Sequence, residues 1–387
     1  MLNVHQALVK VLRNVKLSEN IMDCDLTLAT GKILREVIRT DRPYPPFNKS
    51  LMDGIGVSFE ELKKGIIRFT IEKVIPAGVA QYALKDQEHC VLIMTGAVIP
   101  MRVDCIIPIE HVLIKNGVAT IKNREHQQGQ FIRYKGQDCK KGDTILKIGE
   151  QITPVHLGVL ASVGKKTLKV TGNIKVAVIS TGDELVDVDE PIQEHQTRLS
   201  NAYALKAMLD TTSFTETAKF HFKDDPVKLK KSLDRIIKQF DLIILSGGVS
   251  KGIHDHVPNV LKELKVTKVF HGVDQKPGKP LWFGISQKQK AVFALPGNPA
   301  STLVCAYRYI VPFLYKMAGG TYVPTMIDIK FARKPSGTGT IFIPVKNGDI
   351  IEHGGSGDFN AWAQADGFIE YDNTEQGPLR PYFSWRL

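Results

Sequence analysis

Apolar residues in the first part of the chain recur at helical spacing. Val4, Leu8 and Val11 would share one face of a helix, and a second alternation of apolar and basic residues runs from Asp25 to Ile38. We therefore expect the first 40 residues to form helices. The segment RPYPPFNKSLMDG follows, and its three prolines interrupt the regular pattern before a turn-rich stretch.

Residues 55–135 show short β-branched runs instead. The runs are IIRFTIEKVI, CVLIMTGAVI, CIIPIEHVLI and VATIK, separated by glycine, proline or Asn-Gly. Asn116-Gly117 is a candidate hairpin turn between two of them. The segment has no long helical pattern, so it is predicted to be a separate β-rich domain.

From about residue 170 strands and helices alternate, which predicts an α/β domain with a parallel sheet. The strands are NIKVAVIST, FTETAKFHF, DLIILSGG and KAVFALPG. Ser200 or Asn201 can cap the predicted helix SNAYALKAMLD. Asn298 as N-cap and Pro299 at the first helical position are a strong start signal for the helix that follows KAVFALPG. After Gly319-Gly320 the pattern returns to short strands and glycine turns, which fits a small β-barrel or sandwich.

Length and composition narrow the class of protein. A chain of 387 residues exceeds one ordinary domain, so two to four domains are expected. No apolar run approaches the length of a bilayer span, and the first residues lack an apolar signal core. We therefore expect a cytoplasmic protein. The five cysteines are widely spaced and contain no C-x-x-C pair, which argues against a disulfide framework and a cysteine-ligated zinc.

The net charge of +11 favours an anionic ligand only weakly, because the lysines are dispersed along the chain. No basic strand carries the interleaved aromatic residues that are typical of RNA binding. We expect neither a nucleic acid nor a membrane as a partner. A basic solvated surface without a specific partner explains the charge equally well.

Three polar loops follow the carboxyl ends of predicted strands. They are Thr181–Leu185, with Gly182, Asp183 and Glu184; Ser246–Ser250, with Gly247 and Gly248; and Pro296–Pro299, with Gly297 and Asn298. Ligands of open α/β sheets bind outside those strand ends. Glycines allow backbone N–H groups to approach an anion, and a following helix N-terminus adds a favourable dipole. Three such loops in one domain predict a ligand site.

Charged residues accompany these loops. Asp183, Glu184 and Asp255 suggest a bound magnesium ion, which prefers oxygen ligands; helix capping by Asp183 and a solvated Glu184 explain them as well. Lys276 and Lys279 lie on a proline-restricted loop and are either held for an anionic ligand or part of a solvated turn. The histidines of His254-Asp255-His256 would point to opposite faces of an extended segment, which disfavours a histidine-ligated metal.

These segments together resemble the molybdopterin molybdenumtransferases, the family that includes the C-terminal domain of gephyrin. The resemblance rests on PPFNKSLMDG, IRYKGQDCKKGD, ISTGDEL, SGGVSKGIHDHV, KPGKPLWFG and LPGNPAS, and it runs nearly the whole chain. It implies that molybdate is inserted into adenylyl-molybdopterin, giving molybdenum cofactor and AMP. Molybdate and tungstate, both tetrahedral dianions, are equally compatible with the sequence.

The resemblance also implies a multidomain α/β plus β fold and a homodimer. Its parts would be a linker domain (1–45 and 139–170), a β-rich lobe (46–138), an α/β molybdopterin-binding domain (171–320) and a C-terminal β-barrel (321–387). The site would lie between the β-rich lobe of one subunit and the α/β domain of the other.

The family's functional roles carry over to matching positions of this sequence. Catalytic roles fall on Asp138, Glu184, Asp255 and Lys279, with Glu184 and Asp255 also as magnesium ligands. Substrate-binding roles fall on Asn48, Asp53, Arg133, Thr181, Gly182, Asp183, Ser246, Gly247, Gly248, Ser250, Lys276, Pro296, Gly297, Asn298 and Pro299. Arg133 and Lys135 are candidates for binding molybdate, and Asp138 for handling a proton. Many members carry aspartate where this chain has Asn48, which keeps hydrogen bonding but loses the charge.

Two other functions remain open on the sequence. A nucleotide hydrolase built on a related α/β domain would explain TGDEL and SGGVS, but not PPFNKSLMDG, RYKGQD or the β-rich tail. A non-catalytic scaffold is conceivable because of Asn48, whereas Glu184, Asp138, Asp255 and Lys279 argue against it.

Overall fold

The computed structural model describes residues 1–123, 125–249, 256–331, 335, 339–355, 357–372 and 377–386. The chain divides into two compact units. The larger unit contains Met1–Glu36, Lys147–Ala161 and Lys165–Leu387. The smaller unit contains Val37–Leu146 and Ser162–Gly164.

The smaller unit is built mainly from strands. Its main sheet has, from one edge to the other, Cys105–Pro108, Gly54–Val57, His89–Ile93, Arg68–Ile75, Val118–Ile121 and Val112–Lys115. Short pairs join Lys49–Ser50 to Ile132–Arg133 and Ile38–Arg39 to Thr144–Leu146, and single turns of helix lie at Phe59–Lys63 and Ile109–His111. The predicted hairpin is confirmed: Asn116 and Gly117 have φ values of 53° and 75°, as a tight two-residue turn between twisted strands requires.

The larger unit contains the alternating strands and helices. Its helices are Val4–Arg13, Pro154–Ser162, Ser200–Asp210, Pro226–Gln239, Val257–Glu263, Pro299–Cys305, Val311–Met317 and Phe359–Gln364, with a π-helical turn at Ala306–Ile310 and a 3-10 turn at Leu26–Leu28. Two short strand pairs are separate from the main sheets of this unit: Ile21–Asp25 pairs with Thr167–Thr171, and Leu185–Val186 pairs with Thr197–Arg198. In the part of the chain described here, no helix is long and apolar enough to cross a membrane.

The central sheet of the larger unit has helices on both faces. Its strand order is Thr215–Phe222, Ile174–Thr181, Leu242–Ser246, Ala291–Leu295, Trp282–Ile285 and Thr267–His271. Along one strand, Val176 and Val178 pack in a core with Leu205, while Ala177 and Ile179 pack in another with Leu233. This alternation follows from side chains pointing to opposite faces of a strand, and it buries the sheet on both sides.

The parallel sheet is confirmed for its first four strands, whereas the last two are antiparallel to their neighbours. The connection between Trp282–Ile285 and Ala291–Leu295 is only residues 286–290, and a parallel crossover needs a dozen or more residues. A hairpin is therefore the only arrangement that these two neighbouring strands can adopt.

The expectation of helices throughout the first 40 residues is right only for the first segment. Val4–Arg13 is a helix, and Asn3 and Gln6 form a capping box at its start. The second predicted helix, from Asp25 to Ile38, is wrong: only Leu26–Leu28 forms a 3-10 turn, and the segment ends in the strand Ile38–Arg39, which pairs with Thr144–Leu146. Its partner lies more than a hundred residues away, so the local pattern contains no information about the pairing.

The predicted caps had mixed outcomes. Pro299 begins its helix with Asn298 as N-cap, as predicted. For Ser200–Asp210 the prediction is wrong: Leu199 is the N-cap and no side chain caps the helix. Ser200 is already helical, and the amide of Asn201 is used elsewhere, as described below.

The C-terminal strands form a second sheet of the larger unit. The order is Gln275–Lys276, Thr340–Lys346, Gly367–Tyr371, Leu379–Ser384 and Thr325–Asp328, with Asp349–Ile350 paired to Thr340–Lys346. Short strands are thus confirmed for the tail, and a closed barrel stays a prediction. All five cysteines are free thiols, and burial raises the pKa of Cys90, Cys105 and Cys305 to about 12.

Candidate functional site

Three predicted loops meet at one edge of the central sheet. Ile174–Thr181, Leu242–Ser246 and Ala291–Leu295 are parallel neighbours, so their carboxyl ends lie side by side. Ser180 is opposite Ser246, and Ser246 is opposite Leu295. The backbone N–H of Gly247 donates to the carbonyl oxygen of Leu295 at 3.2 Å, which joins the second loop to the end of the third strand.

Two adjoining cavities of about 390 Å³ and 380 Å³ open at this edge. Both are lined by Thr181, Glu184, Gly247, Gly297 and Asn298. The first cavity is completed by Ser180, Leu185, Thr197, Arg198, Leu199, Ser200, Asn201, Ser246 and Pro299. The second cavity is completed by Gly182, Asp224, Gly248, Val249, Pro280 and Pro296. The structure therefore brings together at least one residue from each of the three loops.

The glycines of the second loop lie where a side chain would clash with the first loop. Gly247 and Gly248 have φ values of +98° and +66°, which residues other than glycine rarely adopt. A Cβ on Gly247 would lie 2.6 Å from the carbonyl oxygen of Thr181. A Cβ on Gly248 would lie 3.0 Å from the Thr181 hydroxyl. The absence of side chains therefore allows the first and second loops to approach each other closely.

The hydroxyl of Thr181 is buried and lacks a hydrogen-bond partner among the residues that the structure describes. Thr181 is only 3% exposed and lines both cavities. An unsatisfied buried polar group costs about 1–3 kcal/mol. Such an atom at the junction of two cavities is the strongest local indication that a polar ligand completes the site.

Asn201 connects two of the loops. Its side-chain amide donates to Ser246 Oγ at 2.9 Å and to the carbonyl oxygen of Gly297 at 2.7 Å. The sequence analysis considered Asn201 only as a helix cap. Asparagine is unfavourable inside helices because it competes for backbone hydrogen bonds, and that was the available signal for a special role at this position.

Three carboxylates interact at the second cavity. Asp183 accepts a hydrogen bond from the backbone N–H of Asp224 at 3.3 Å, and Glu184 and Asp224 line the cavity. Burial raises the pKa of Asp224, and the negative charges of Asp183 and Glu184 raise it further, while His256 has the opposite effect. Perturbed carboxylates in a cleft are typical of functional sites. Asp224 was not among the residues predicted from the sequence; it lies next to Asp225, which caps the following helix.

Two of the predicted residues, Ser250 and Asp255, lie outside the described residues. Within the described ranges, no group of three or more His, Cys, Asp or Glu side chains could by itself hold a metal ion. Glu184 and Asp224 nevertheless offer oxygen atoms at the same cavity.

Lys276 and Lys279 are both exposed, and neither lines a cavity. Their loop reaches the site through the next residue, since Pro280 lines the second cavity. Contact between these lysines and the ligand therefore stays a prediction. Their loop lies beside the second cavity, because Pro280 lines it.

The smaller unit brings together a second set of predicted residues. Asn48 Oδ1 accepts the backbone N–H of Lys135 at 2.8 Å, and Arg133 forms an ion pair of 2.5 Å with Asp138. The backbone N–H of Asp138 donates to the carbonyl oxygen of Tyr44 at 3.0 Å. The proline-rich segment and the RYKGQD segment are therefore adjacent, although they are about 90 residues apart in sequence.

Asp53 makes different contacts. Its Oδ1 accepts the backbone N–H of Thr95 at 2.6 Å and the Thr95 hydroxyl at 2.7 Å. These two hydrogen bonds, the backbone one first, lower the pKa of the Asp53 carboxyl. Asp53 is consequently a stable anion. It fixes the turn at Thr95, which follows the strand His89–Ile93.

Two family descriptions match the chain, and they cover most of it between them. Residues 2–164 match "MoeA N-terminal region (domain I and II)", and residues 177–316 match "Probable molybdopterin binding domain". The second match contains all three glycine-bearing loops, and the first contains Asn48, Asp53, Arg133 and Asp138.

Curated relatives and solved structures agree with these matches. The chain is 34% identical to molybdopterin molybdenumtransferase of Synechocystis, over 93% of this chain and 94% of the relative. It is 35% identical to molybdopterin molybdenumtransferase of Haemophilus influenzae, over 82% of this chain and 78% of the relative. A crystal structure of the molybdopterin biosynthesis moeA protein from Pyrococcus horikoshii superposes with a TM-score of 0.82 at 25% identity, covering 98% of each chain.

Proposed function

The chain belongs to the molybdopterin molybdenumtransferase family and is a transferase of molybdenum cofactor biosynthesis, and from this premise we propose how its residues act. The proposed reaction uses molybdate and adenylyl-molybdopterin, whose pterin phosphate is joined to AMP by a phosphoanhydride. Water cleaves that bond and AMP leaves, while the two thiols of the pterin dithiolene bind molybdenum and displace one molybdate oxygen as water.

The observation that carries this proposal is the Thr181 hydroxyl, which has no hydrogen-bond partner among the described residues and lies between two cavities that three glycine-bearing loops surround. Phosphate oxygens are hydrogen-bond acceptors, and the Thr181 hydroxyl can donate to one of them. Gly247 lines both cavities and Gly248 lines the second, and because neither has a side chain the backbone of the second loop can lie close to a phosphate. The first cavity and the second cavity would then hold the two sides of the anhydride.

Magnesium is the cation that we propose for this site. Its usual protein site supplies one or two carboxylates, while water and substrate phosphates complete the octahedron. Glu184 and Asp224 at the second cavity fit that donor set, and Asp255 was expected from the sequence to join them. When bound, the ion would neutralise charge on the phosphoanhydride oxygens.

Lys276 and Lys279 would add positive charge on the Pro280 side of the second cavity. Stabilising negative charge on the phosphate groups is the main requirement of phosphoryl chemistry, so fixed cations are more useful there than a general base. Asp183 would act indirectly, by fixing the backbone of Asp224 through their hydrogen bond.

For molybdate we propose the residues of the smaller unit. Arg133 and Lys135 offer cationic and N–H donors for an oxyanion. Asp138 is held by Arg133 and would accept a proton released as sulfur replaces oxygen on the metal. Asn48 holds the backbone of Lys135 and so retains the hydrogen-bonding role of the aspartate found in many members. Asp53 would keep the neighbouring turn in place.

The same proposal includes three expectations about the whole protein: its oligomeric state, its location and its division into domains. We propose a homodimer in which the residues of the smaller unit complete a site of the partner subunit, a cytoplasmic location, and the four-domain division given above. Mixing an inactive Asp138→Asn variant with an inactive Glu184→Gln variant tests the shared site. Recovery of activity in the mixture supports it, and complete inactivity of mixed dimers argues against it.

The decisive experiment measures AMP released from adenylyl-molybdopterin with magnesium, with and without molybdate. Wild type and Asn48→Asp are compared. We expect molybdate-dependent release by wild type, because the amide of Asn48 still binds Lys135 N–H. Release that does not respond to molybdate would instead identify a hydrolase. No release by wild type, with release restored by Asn48→Asp, would identify a chain that lost catalysis and acts as a scaffold.

A further inference from the structure

The lysine loop is anchored by a buried polar network that the proposed reaction does not use. Gln275 precedes Lys276 and is 4% exposed. Its side-chain nitrogen donates to the carbonyl oxygen of Pro277 at 3.1 Å and to the Cys305 sulfur at 3.4 Å. Its side-chain oxygen accepts the hydroxyl of Tyr309 at 2.5 Å. Every polar atom of this buried side chain is therefore paired.

The far side of the network lies on the π-helical turn Ala306–Ile310. Tyr309 is fully buried there, and the adjacent Arg308 forms a buried ion pair of 2.5 Å with Glu370 of the C-terminal sheet. Single π-helical turns occur frequently at functional sites. The turn therefore contacts the C-terminal sheet at two places, Gln275 in its edge strand and Glu370 in an inner strand, and this fixes the position of Tyr309.

The backbone of the loop also rests directly on the helix that precedes this turn. Gly278 has a φ of +95°, and a Cβ there would lie 2.6 Å from the Cys305 sulfur and 2.6 Å from the Gln275 amide nitrogen. Pro277 and Gly278 are buried, whereas Lys276 and Lys279 on either side are exposed. The network thus fixes the buried middle of the loop and leaves Lys276 and Lys279 exposed on either side of it.

We infer that Gln275 is a positioning residue: paired with Tyr309 and Pro277, it holds Lys276 and Lys279 where they bind the phosphate groups of the substrate. The inference rests on the proposed function, because it assigns those lysines to an anionic ligand. A lysine ammonium group reaches no farther from the backbone than its four-carbon stem allows, so the position of the backbone limits which phosphate atoms it can bind. A displacement of about 1 Å at a site of this kind costs up to a hundredfold in rate.

A double-mutant cycle with inorganic pyrophosphate as the probe tests this step without any catalysis. Calorimetry compares wild type, Gln275→Met, Lys279→Ala and the combined variant. Methionine has a similar volume and removes the amide. We expect Gln275→Met to weaken pyrophosphate binding about tenfold, and the free-energy loss of the combined variant to be smaller than the sum of the two single losses, because Gln275→Met already removes much of the contribution of Lys279. Tyr309→Phe, which removes only one hydroxyl, should act in the same direction with a smaller loss.

Gln151→Met is the matched control. The Gln151 amide also donates to a backbone carbonyl, that of Gly31 at 3.1 Å, and to a tyrosine hydroxyl, that of Tyr315 at 3.3 Å. This variant should bind pyrophosphate like wild type. Equal binding by Gln275→Met and wild type, additive losses in the combined variant, or no binding by wild type would each overturn the inference.

Kinetics provide the second readout. In the AMP-release assay, Gln275→Met should raise KM for adenylyl-molybdopterin more than it lowers kcat, whereas general unfolding would lower the active fraction and leave KM unchanged. If wild type releases no AMP, the proposed function fails, and the pyrophosphate cycle still decides whether Gln275 positions the lysines.

Discussion

The side-chain amide of Asn201 donates at once to Ser246 Oγ and to the carbonyl oxygen of Gly297. These atoms belong to two different loops, each of which follows its own strand of the central sheet. One side chain on a helix therefore fixes the distance between two walls of the first cavity.

Asn201→Ala should separate those two loops. Each lost hydrogen bond contributes about 0.5–1.5 kcal/mol to folding stability, and the loops would no longer be held for the substrate. We expect a KM for adenylyl-molybdopterin that is raised about tenfold, with a modest fall in melting temperature. Asn14→Ala is the control, since the Asn14 amide also donates to a backbone carbonyl, that of Lys10. A KM change of equal size in both variants would count against the role of Asn201.

Thr181→Val removes the unpaired hydroxyl while keeping the shape of the side chain. Because that hydroxyl has no partner among the described residues, its loss should leave the folding stability of the free protein unchanged or raise it. Substrate affinity should nevertheless fall, since the proposed donor to a phosphate is gone. Thermal unfolding and KM, measured on the same samples, check both parts.

Thr302→Val provides the comparison for this variant. The Thr302 hydroxyl donates to the carbonyl oxygen of Pro296 at 2.6 Å, so its removal should destabilise the fold. A Thr181→Val variant that loses stability like Thr302→Val, with an unchanged KM, would show that the Thr181 hydroxyl does not bind a ligand.

Gly247→Ala should abolish AMP release. The added Cβ would lie 2.6 Å from a backbone oxygen, which cannot move aside as a flexible side chain can. Gly348→Ala is the control, because Gly348 also has a positive φ, +87°, but nothing lies within 4 Å of its added Cβ. That control should lose only about 1 kcal/mol of stability from backbone strain and keep its activity. Substantial AMP release by a folded Gly247→Ala variant would show that the second loop does not need this close approach.

Asp224→Asn should stabilise the fold in a pH-dependent way. Burial and the neighbouring carboxylates raise the pKa of Asp224, so its charged form costs stability in the folded protein. That cost is absent below the unfolded pKa of about 3.9 and appears as the pH rises through the higher folded pKa. The difference in melting temperature between variant and wild type should therefore increase from pH 4 to pH 8. AMP release should fall, because the carboxylate is lost from the second cavity.

Asp225→Asn should show the opposite trend. The Asp225 carboxylate accepts the backbone N–H groups of Lys228 and Val227, and its pKa is lowered mainly by the first of these hydrogen bonds. The variant should lose stability at neutral pH, and the loss should disappear as the pH falls through the lowered pKa. Parallel pH trends for Asp224→Asn and Asp225→Asn would contradict the assignment of these two neighbours.

The parts of the site that could be predicted are those encoded by short stretches of sequence. Each glycine-bearing loop follows a strand that is apolar enough to identify on its own, and neighbouring parallel strands necessarily end at one edge. Asp224 and Asn201 were missed because their roles depend on loops far away in the chain. The second helix, predicted from Asp25 to Ile38, was wrong for the same reason: Ile33, Leu34 and Ile38 pair with residues more than a hundred positions away. The role of Gln275 could not be predicted for the same reason, because its partner Tyr309 is 34 residues away in the sequence.

The buried thiols matter for a substrate that itself carries two sulfur atoms. A thiol exchanges with other sulfur compounds as its thiolate. Cys90, Cys105 and Cys305 have pKa values of about 12, so at neutral pH only about one molecule in a hundred thousand carries a thiolate at any one of them. Mixed disulfides between these positions and a pterin dithiolene are therefore disfavoured by both access and ionisation. Packing these three cysteines into hydrophobic cores keeps their thiols inert toward the sulfur chemistry of the substrate.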